Sequence, residues 1–248
     1  MSVTSRPSGG SLVLLRHGQS TANAAGLFTG ILDPALSTSG ADEARAAAAL
    51  LAANDLVPDA LLVSPLRRAA QTARLVADEL DLPETAVTTD WRLIERNYGA
   101  LTGRHKDDVR AEFGEAQFLA WRRSVDTAPP EMSADQVTGF AATELFRGLP
   151  ARALTRTESL RHVMGRVAEF HAERVEPLLA DARTVLVVAH GNSLRAYCAV
   201  LEQLDKSAIH ALNLPTGHPL VYRDGGRRYL DAPRAEAAAL ALTLDGGT

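Results

Sequence analysis

Two histidines, each followed by glycine and each placed where an apolar run ends, are the residues of this chain best able to do chemistry. Leu14-Leu15-Arg16-His17-Gly18-Gln19-Ser20-Thr21-Ala22-Asn23 sets an Arg-His-Gly turn directly after the apolar run Leu12 to Leu15. Near the far end, Thr184 to Ala189 runs into His190-Gly191-Asn192. An extended segment that stops at a cationic, glycine-loosened turn can present an imidazole to a phosphoryl group. Taken singly, a histidine after a strand is more often a hydrogen-bonded structural group. Two such turns together point to one two-histidine site.

In an open parallel sheet, ligands sit beyond the carboxyl ends of the strands. Three apolar runs of this chain end in useful groups: Arg16-His17, Ser64 with Arg67-Arg68, and His190. Arginine suits an anion site because its planar fork donates two parallel hydrogen bonds to phosphate oxygens. A neutral imidazole among such cations can attack phosphorus, and the cations stabilise the charge that develops on the equatorial oxygens. A leaving oxygen also needs a proton, and Glu95 in Trp91-Arg92-Leu93-Ile94-Glu95-Arg96-Asn97-Tyr98-Gly99 is the best-placed carboxyl. By residue type alone Glu95-Arg96 reads more readily as a surface ion pair, the commoner fate of such charges. Tyr98, Lys106, Arg122 and Arg123 show no chemistry from spacing. His105, His162, His171, His210 and His218 lack metal-ligand grouping, so no metal site is expected.

The elements that must position these groups follow from pattern. Apolar runs at 12–15, 60–64 and 185–189 alternate with alanine-rich stretches of helical period, the signature of parallel βα units. An α/β three-layer sandwich is expected, its mostly parallel central sheet flanked by helices. Ser39-Gly40-Ala41-Asp42 has capping-box spacing for a helix to about Asn54, Pro65 opens another to about Leu80, and Gly191-Asn192 starts a third. A helix over 157–181 is expected to break near Pro177, 220–230 to form a hairpin about Gly225-Gly226, and 233–244 to close the chain as a helix. Residues 126–156, with Pro129-Pro130, Gly139, Gly148 and Pro150, lose periodicity and read as an inserted, lid-like excursion. The expectation is one domain over 1–248 with loose termini at 1–11 and 245–248.

Composition bounds the function. Of 248 residues, 46% are hydrophobic and 23% charged, as in ordinary globular proteins, and no apolar run is long enough to span a bilayer. A net charge of −4 argues against a general nucleic-acid surface, so anion sites must be local. The start of the chain has no signal-peptide core, which favours a cytoplasmic location. The single cysteine, Cys198, lies among apolar neighbours and reads as a buried helix position without a catalytic role.

These segments together resemble the histidine phosphatase superfamily, and more narrowly the cofactor-dependent phosphoglycerate mutases. The likeness runs through Leu15-Arg16-His17-Gly18-Gln19-Ser20, Phe28-Thr29-Gly30, Ser64-Pro65-Leu66-Arg67-Arg68, Glu95-Arg96-Asn97-Tyr98-Gly99-Ala100-Leu101, Trp121-Arg122-Arg123, His190-Gly191-Asn192 and Asn213-Leu214-Pro215-Thr216-Gly217, covering about residues 12 to 233. The resemblance implies that His17 is the phosphorylated nucleophile and that Arg16, Arg68 and His190 form the phosphate pocket. It implies Glu95 as proton donor and acceptor. Ser20, Asn23, Gly191 and Asn192 would contact phosphate or position the nucleophile, while Thr29, Gly30, Tyr98, Lys106, Arg122 and Arg123 would hold the substrate's carboxylate and second phosphate.

The implied reaction interconverts 3-phosphoglycerate and 2-phosphoglycerate through phosphohistidine, with 2,3-bisphosphoglycerate as primer and without metal. The implied assembly is a homodimer or homotetramer that meets small phosphorylated metabolites, not nucleic acid or membrane. Four departures bear on the substrate more than on the chemistry. Ile31 stands where the mutases usually have tryptophan, and Asn97 where histidine is frequent. The excursion lacks their tyrosine-rich stretch, and the tail after Pro233 has no lysine. A phosphatase acting on a small phosphorylated metabolite is the alternative on the same scaffold, and a binding module without turnover is the third class.

Overall fold

The computed structural model of the chain describes residues 9–223, 225–244 and 247. The runs expected as strands form β1 (Ser11–Arg16), β2 (Ala60–Val63) and β4 (Thr184–Ala189), joined by β3 (Val87–Thr89), β5 (Leu220–Arg223) and β6 (Gly226–Tyr229). The six strands make one sheet in the order β3-β2-β4-β1-β5-β6. β1, β2, β3 and β4 pair in parallel, whereas β5 runs antiparallel to β1 and to β6, so the expected hairpin is an antiparallel edge. Parallel pairing brings Arg16 opposite Ala189 and Val63 opposite Val188. The residues that follow, His17, Ser64 and His190, therefore leave the sheet at one edge.

Helices α1 (Thr21–Ala24), α2 (Thr38–Ala53) and α3 (Arg67–Glu79) precede β3; α4 (Lys106–Phe113), α5 (Glu115–Arg123), α6 (Ala134–Ala141), α7 (Glu144–Arg147), α8 (Leu160–Phe170) and α9 (Glu176–Ala180) follow it. After β4 come α10 (Gly191–Glu202), α11 (Lys206–Ala211) and α12 (Ala232–Leu244). Successive strand residues face opposite ways, and the core divides accordingly. Val13, Leu15, Leu61, Val63, Leu186 and Val188 pack on Ala47, Leu51, Ala69, Ala73 and Val76 of α2 and α3. Leu12, Leu14, Leu62, Val185 and Val187 pack on the other face against Val163, Val167 and Phe170 of α8 and Tyr197 of α10. These are the three layers of the expected sandwich.

Several boundaries differ from expectation for local reasons. The cap of α2 is Ser37, two residues before Ser39; its Oγ accepts from Gly40 N and donates to Gln19 O, which ties the helix start to the His17 loop. Pro65 stands ahead of α3 instead of in its first turn, and Asp33 Oδ1 accepts from Arg67 N in place of a local side-chain cap. Between α8 and α9 the chain makes a π-helical turn over His171–Val175, and Pro177, which has no N–H to donate, falls in the first turn of α9. The excursion is not irregular throughout, since it holds α6 and α7.

Of the termini expected to be loose, Ser11 is the first residue of β1 and Gly247 is buried, while residues 1–8, 245, 246 and 248 lie outside the described residues. No described helix is long and apolar enough to cross a membrane.

Candidate active site

The glycine after His17 permits a backbone crossing that no side chain would allow. A Cβ on Gly18 would stand 2.0 Å from Gly40 O, and one on Gly40 would stand 2.1 Å from Gln19 O. Gly18 N donates to Thr72 Oγ1, which fastens the turn to α3. The His17 ring is thereby buried, only 2% exposed. Its Nδ1 lies 2.6 Å from Gly18 O, so Nδ1 carries the proton and the lone pair is on Nε2. Arg68 Nε donates to that Nε2 at 3.1 Å. Burial, with Arg68 and Arg16 beside it, holds the His17 pKa well below its ordinary value and keeps the imidazole neutral.

His190 follows β4, and its ring centroid lies 4.9 Å from that of His17 in an edge-to-face arrangement. Its Nε2 is 2.7 Å from Ser64 Oγ at the end of β2, and its backbone N–H donates to Ser193 Oγ. Burial and the nearby Arg68 also push its pKa well down. Arg68 itself is 1% exposed; Nη1 donates to Leu32 O and Nη2 to Gly30 O, so one guanidinium braces the Gly30 loop and the His17 ring together. Its pKa falls to about 10, chiefly through burial. Arg16 Nη1 donates to Leu214 O.

Glu95 is held by backbone amides. Arg96 N donates to Oε1 at 2.7 Å, and Asn192 N, in the first turn of α10, lies 3.2 Å from both carboxylate oxygens. A carboxylate at a helix N-terminus meets the positive end of the helix dipole. Asn192 Nδ2 donates to Tyr98 Oη, which couples the carboxylate's helix to the aromatic wall. Tyr98 packs edge-to-face on Phe28, and Phe28 on Phe118, within a cluster closed by Leu101, Val109 and Trp121. Burial alone would raise the Tyr98 pKa, but Arg96 and Arg122 bring it down to about 8.

These groups front a cavity of about 330 Å³ lined by Arg16, Asn23, Thr29, Gly30, Glu95, Tyr98, Lys106, Arg122, Gly191 and Asn192. Gln19, Leu27, Phe28, Pro215 and Thr216 complete its body, while Ala238, Ala241, Leu242 and Gly247 close it from the C-terminal side. His17, Arg68 and His190 lie buried together at the sheet edge.

Two expected contact residues stand elsewhere. Ser20 does not line the cavity: it caps α1, and its Oγ donates to Asn23 Oδ1, so it aims Asn23. Arg123 also stands off the wall, with Nε donating to His210 O, Nη1 to Asn213 Oδ1 and Nη2 to Leu212 O, anchoring the 210–213 loop. The excursion contributes no residue to the cavity wall. It packs through Met132 and Phe146 on Ile31, Leu66 and Ile94, with Val137, Phe140, Leu145, Leu149 and Leu154 around them. Ile31 therefore faces the excursion's own core and not the cavity. Asn97, where the mutases frequently have histidine, latches the same segment: Nδ2 donates to Thr155 O and Oδ1 accepts from Gly99 N.

Sequence reasoning passed over Arg96 and Arg195, both 0% exposed beside the site, and the tail residues that close it. Arg96 sits next to Glu95 in a stretch already singled out. The alanine-rich tail carried no signal beyond helical period.

An edge-to-face histidine pair, braced by the buried Arg68 and accompanied by an amide-held carboxylate, is the site of a histidine phosphatase. The family model of the histidine phosphatase superfamily (branch 1) matches residues 12–229, and the chain belongs to that superfamily. Among curated relatives, the 2,3-bisphosphoglycerate-dependent phosphoglycerate mutase of Thermobifida fusca is 44% identical over 243 residues, covering 95% of this chain and 98% of that protein. The protein of the same name from Corynebacterium efficiens is 41% identical, covering 96% and 98%. Among solved structures, a mycobacterial glucosyl-3-phosphoglycerate phosphatase in complex with VO3 is 30% identical with a TM-score of 0.66, covering 89% of this chain and 96% of that one. A chain described as mycobacterial hydrolase 2 is 26% identical with a TM-score of 0.67, covering 96% and 98%.

Proposed function

We propose that the protein is a phosphoglycerate mutase that cycles through phosphohistidine at His17 and is primed by 2,3-bisphosphoglycerate. The observation that carries this reading is that the cavity wall holds cations beyond those around His17. Lys106 and Arg122 stand on the wall together with Tyr98 and Asn192, in addition to the Arg16, Arg68 and His190 set around the nucleophile. A hydrolase needs one anion pocket and a water, whereas a mutase must hold a substrate by two anions while a phosphoryl group moves between them. The curated relatives that carry the mutase name match nearly the whole chain. The Ile31 departure does not reach the cavity, so it gives no reason to change the substrate.

The bisphosphate fits this donor set by charge, since Arg16, Lys106 and Arg122 all line the cavity, and what it supplies when bound is the phosphoryl group for His17. The neutral His17 Nε2 attacks phosphorus, the bond from phosphorus to the leaving oxygen breaks, and Glu95 gives that oxygen a proton. Arg68 releases Nε2 and, with Arg16 and His190, holds the oxygens whose charge grows in transfer. On return, Glu95 takes the proton of the attacking hydroxyl and the N–P bond breaks. The aliphatic cover from α12, Ala238, Ala241 and Leu242, keeps bulk water from the phosphohistidine.

The similarity to a solved phosphoglycerate-ester phosphatase favours the alternative of hydrolysis at the same histidine. The two readings separate in one tube containing 3-phosphoglycerate and catalytic 2,3-bisphosphoglycerate, with 2-phosphoglycerate and free phosphate followed together. Isomer formation with little phosphate is expected. Phosphate without isomer would make the protein a phosphatase, and neither product would defeat both readings for this substrate.

A further inference from the structure

Arg96 and Arg195 are fully buried cations with no part in the transfer chemistry. Arg96 follows Glu95; its Nη2 donates to Trp121 O at 2.5 Å and to Arg122 O at 3.4 Å, and its Cζ lies 4.5 Å from the Tyr98 ring centroid. Arg195 is on α10, one turn after Asn192, and its Nη2 donates to the same Arg122 O at 3.1 Å. Two guanidiniums from separate elements thus converge on the last turn of α5. The carbonyls there have no helical partner, and they form the negative end of the helix dipole. Burying a cation is costly, and an apolar side chain of the same size usually fills such a space more cheaply. Burial, with Arg123 and Arg96 nearby, accordingly holds the Arg195 pKa well down.

What the two cations hold is the backbone of Arg122, whose side chain is on the cavity wall. Arg195 also belongs to the helix whose Asn192 N–H steadies Glu95. We propose that Arg96 and Arg195 are positioning residues that lock the C-terminal turn of α5 to the Glu95 strand-end loop and to α10. They thereby fix how far the Arg122 guanidinium stands from the phosphoryl centre, and they set affinity for ligands bearing a second anion at that span. This rests on the two-anion reading of the cavity, and it adds to that reading the residues that set the span.

The test is calorimetric titration of wild type, Arg195→Met and Arg195→Lys with 3-phosphoglycerate, which has two anions, and with inorganic phosphate, which has one. Arg195→Met is expected to raise the Kd for 3-phosphoglycerate about tenfold, the size of one charge-assisted hydrogen bond, and to leave the Kd for phosphate within about twofold. Arg195→Lys keeps the charge without the planar fork, and a smaller rise with the same selectivity is expected. Equal weakening of both ligands, or an unchanged Kd for 3-phosphoglycerate in a folded variant, would overturn the proposal. If Arg195→Met does not fold, Arg195→Lys decides by the same comparison. Failure of the wild type to isomerise would defeat the mutase reading alone, because both Kd values are read without turnover.

Discussion

His17 is neutral in the fold because protonating it would set a third cation beside Arg16 and Arg68 in a dry pocket. The consequence for pH runs in one direction. The folded pKa of His17 and that of His190 lie below the unfolded value of about 6.5, so the unfolded chain takes up protons first as pH falls. The stability tied to these neutral rings is complete above about pH 6.5 and is lost progressively below it. Thermal unfolding midpoints measured from pH 7.5 to 5 should decline, and His190→Asn should flatten the decline; an equally steep fall in that variant would remove His190 from the account.

Tyr98 works at the opposite limb. With its pKa near 8, rising pH creates a tyrosinate on the cavity wall, so under the mutase reading KM for 3-phosphoglycerate should climb above about pH 8. Tyr98→Phe should abolish that climb, and a climb that persists would assign it to another group. His17→Ala should cost at least about 10⁴-fold in transfer and leave no acid-labile phosphoprotein by ³²P trapping.

At the scale of elements, the excursion over 126–156 is a brace beside the site. It is held by an apolar patch centred on Ile31 and Ile94, by the Asn97 latch, and by Gly99, which has φ of +57° and where a Cβ would meet Pro130 O at 2.0 Å. Restoring the tryptophan usual in the mutases should therefore harm packing without helping binding. Ile31→Trp is expected to cost about 1–3 kcal/mol by overfilling a closed core, read by urea denaturation, with KM for 3-phosphoglycerate unchanged. A changed KM at unchanged stability would return Ile31 to the cavity wall.

The whole molecule gathers the buried Arg68, Arg96, Arg122 and Arg195 and the half-buried Arg16 into one region with Glu95, so a bound anion relieves a cost built into the fold. Phosphate at about 100 times its Kd should stabilise by about 2.7 kcal/mol. That corresponds to a rise of roughly 5–10 °C in Tm for a chain of this size, and calorimetry showing no rise would mean the cations are satisfied internally.

The two His-Gly turns and the parallel sheet that carries them were legible in the residues themselves. Arg16-His17-Gly18 and His190-Gly191 mark strand ends because apolar runs followed by glycine leave few other conformations, and their separation in sequence is closed by parallel pairing of β1 with β4. The short β3, with polar Thr88 and Thr89 at a sheet edge, gave no such signal. Which arginines reach the cavity depended on the packing of α5. Arg122 and Arg123 are adjacent and alike on paper, yet helical rotation of about 100° per residue points one into the cavity and the other to the 210–213 loop. Tertiary packing also decided that the tail, and not the excursion, covers the site, since neither segment's composition says which surface its apolar side chains will meet.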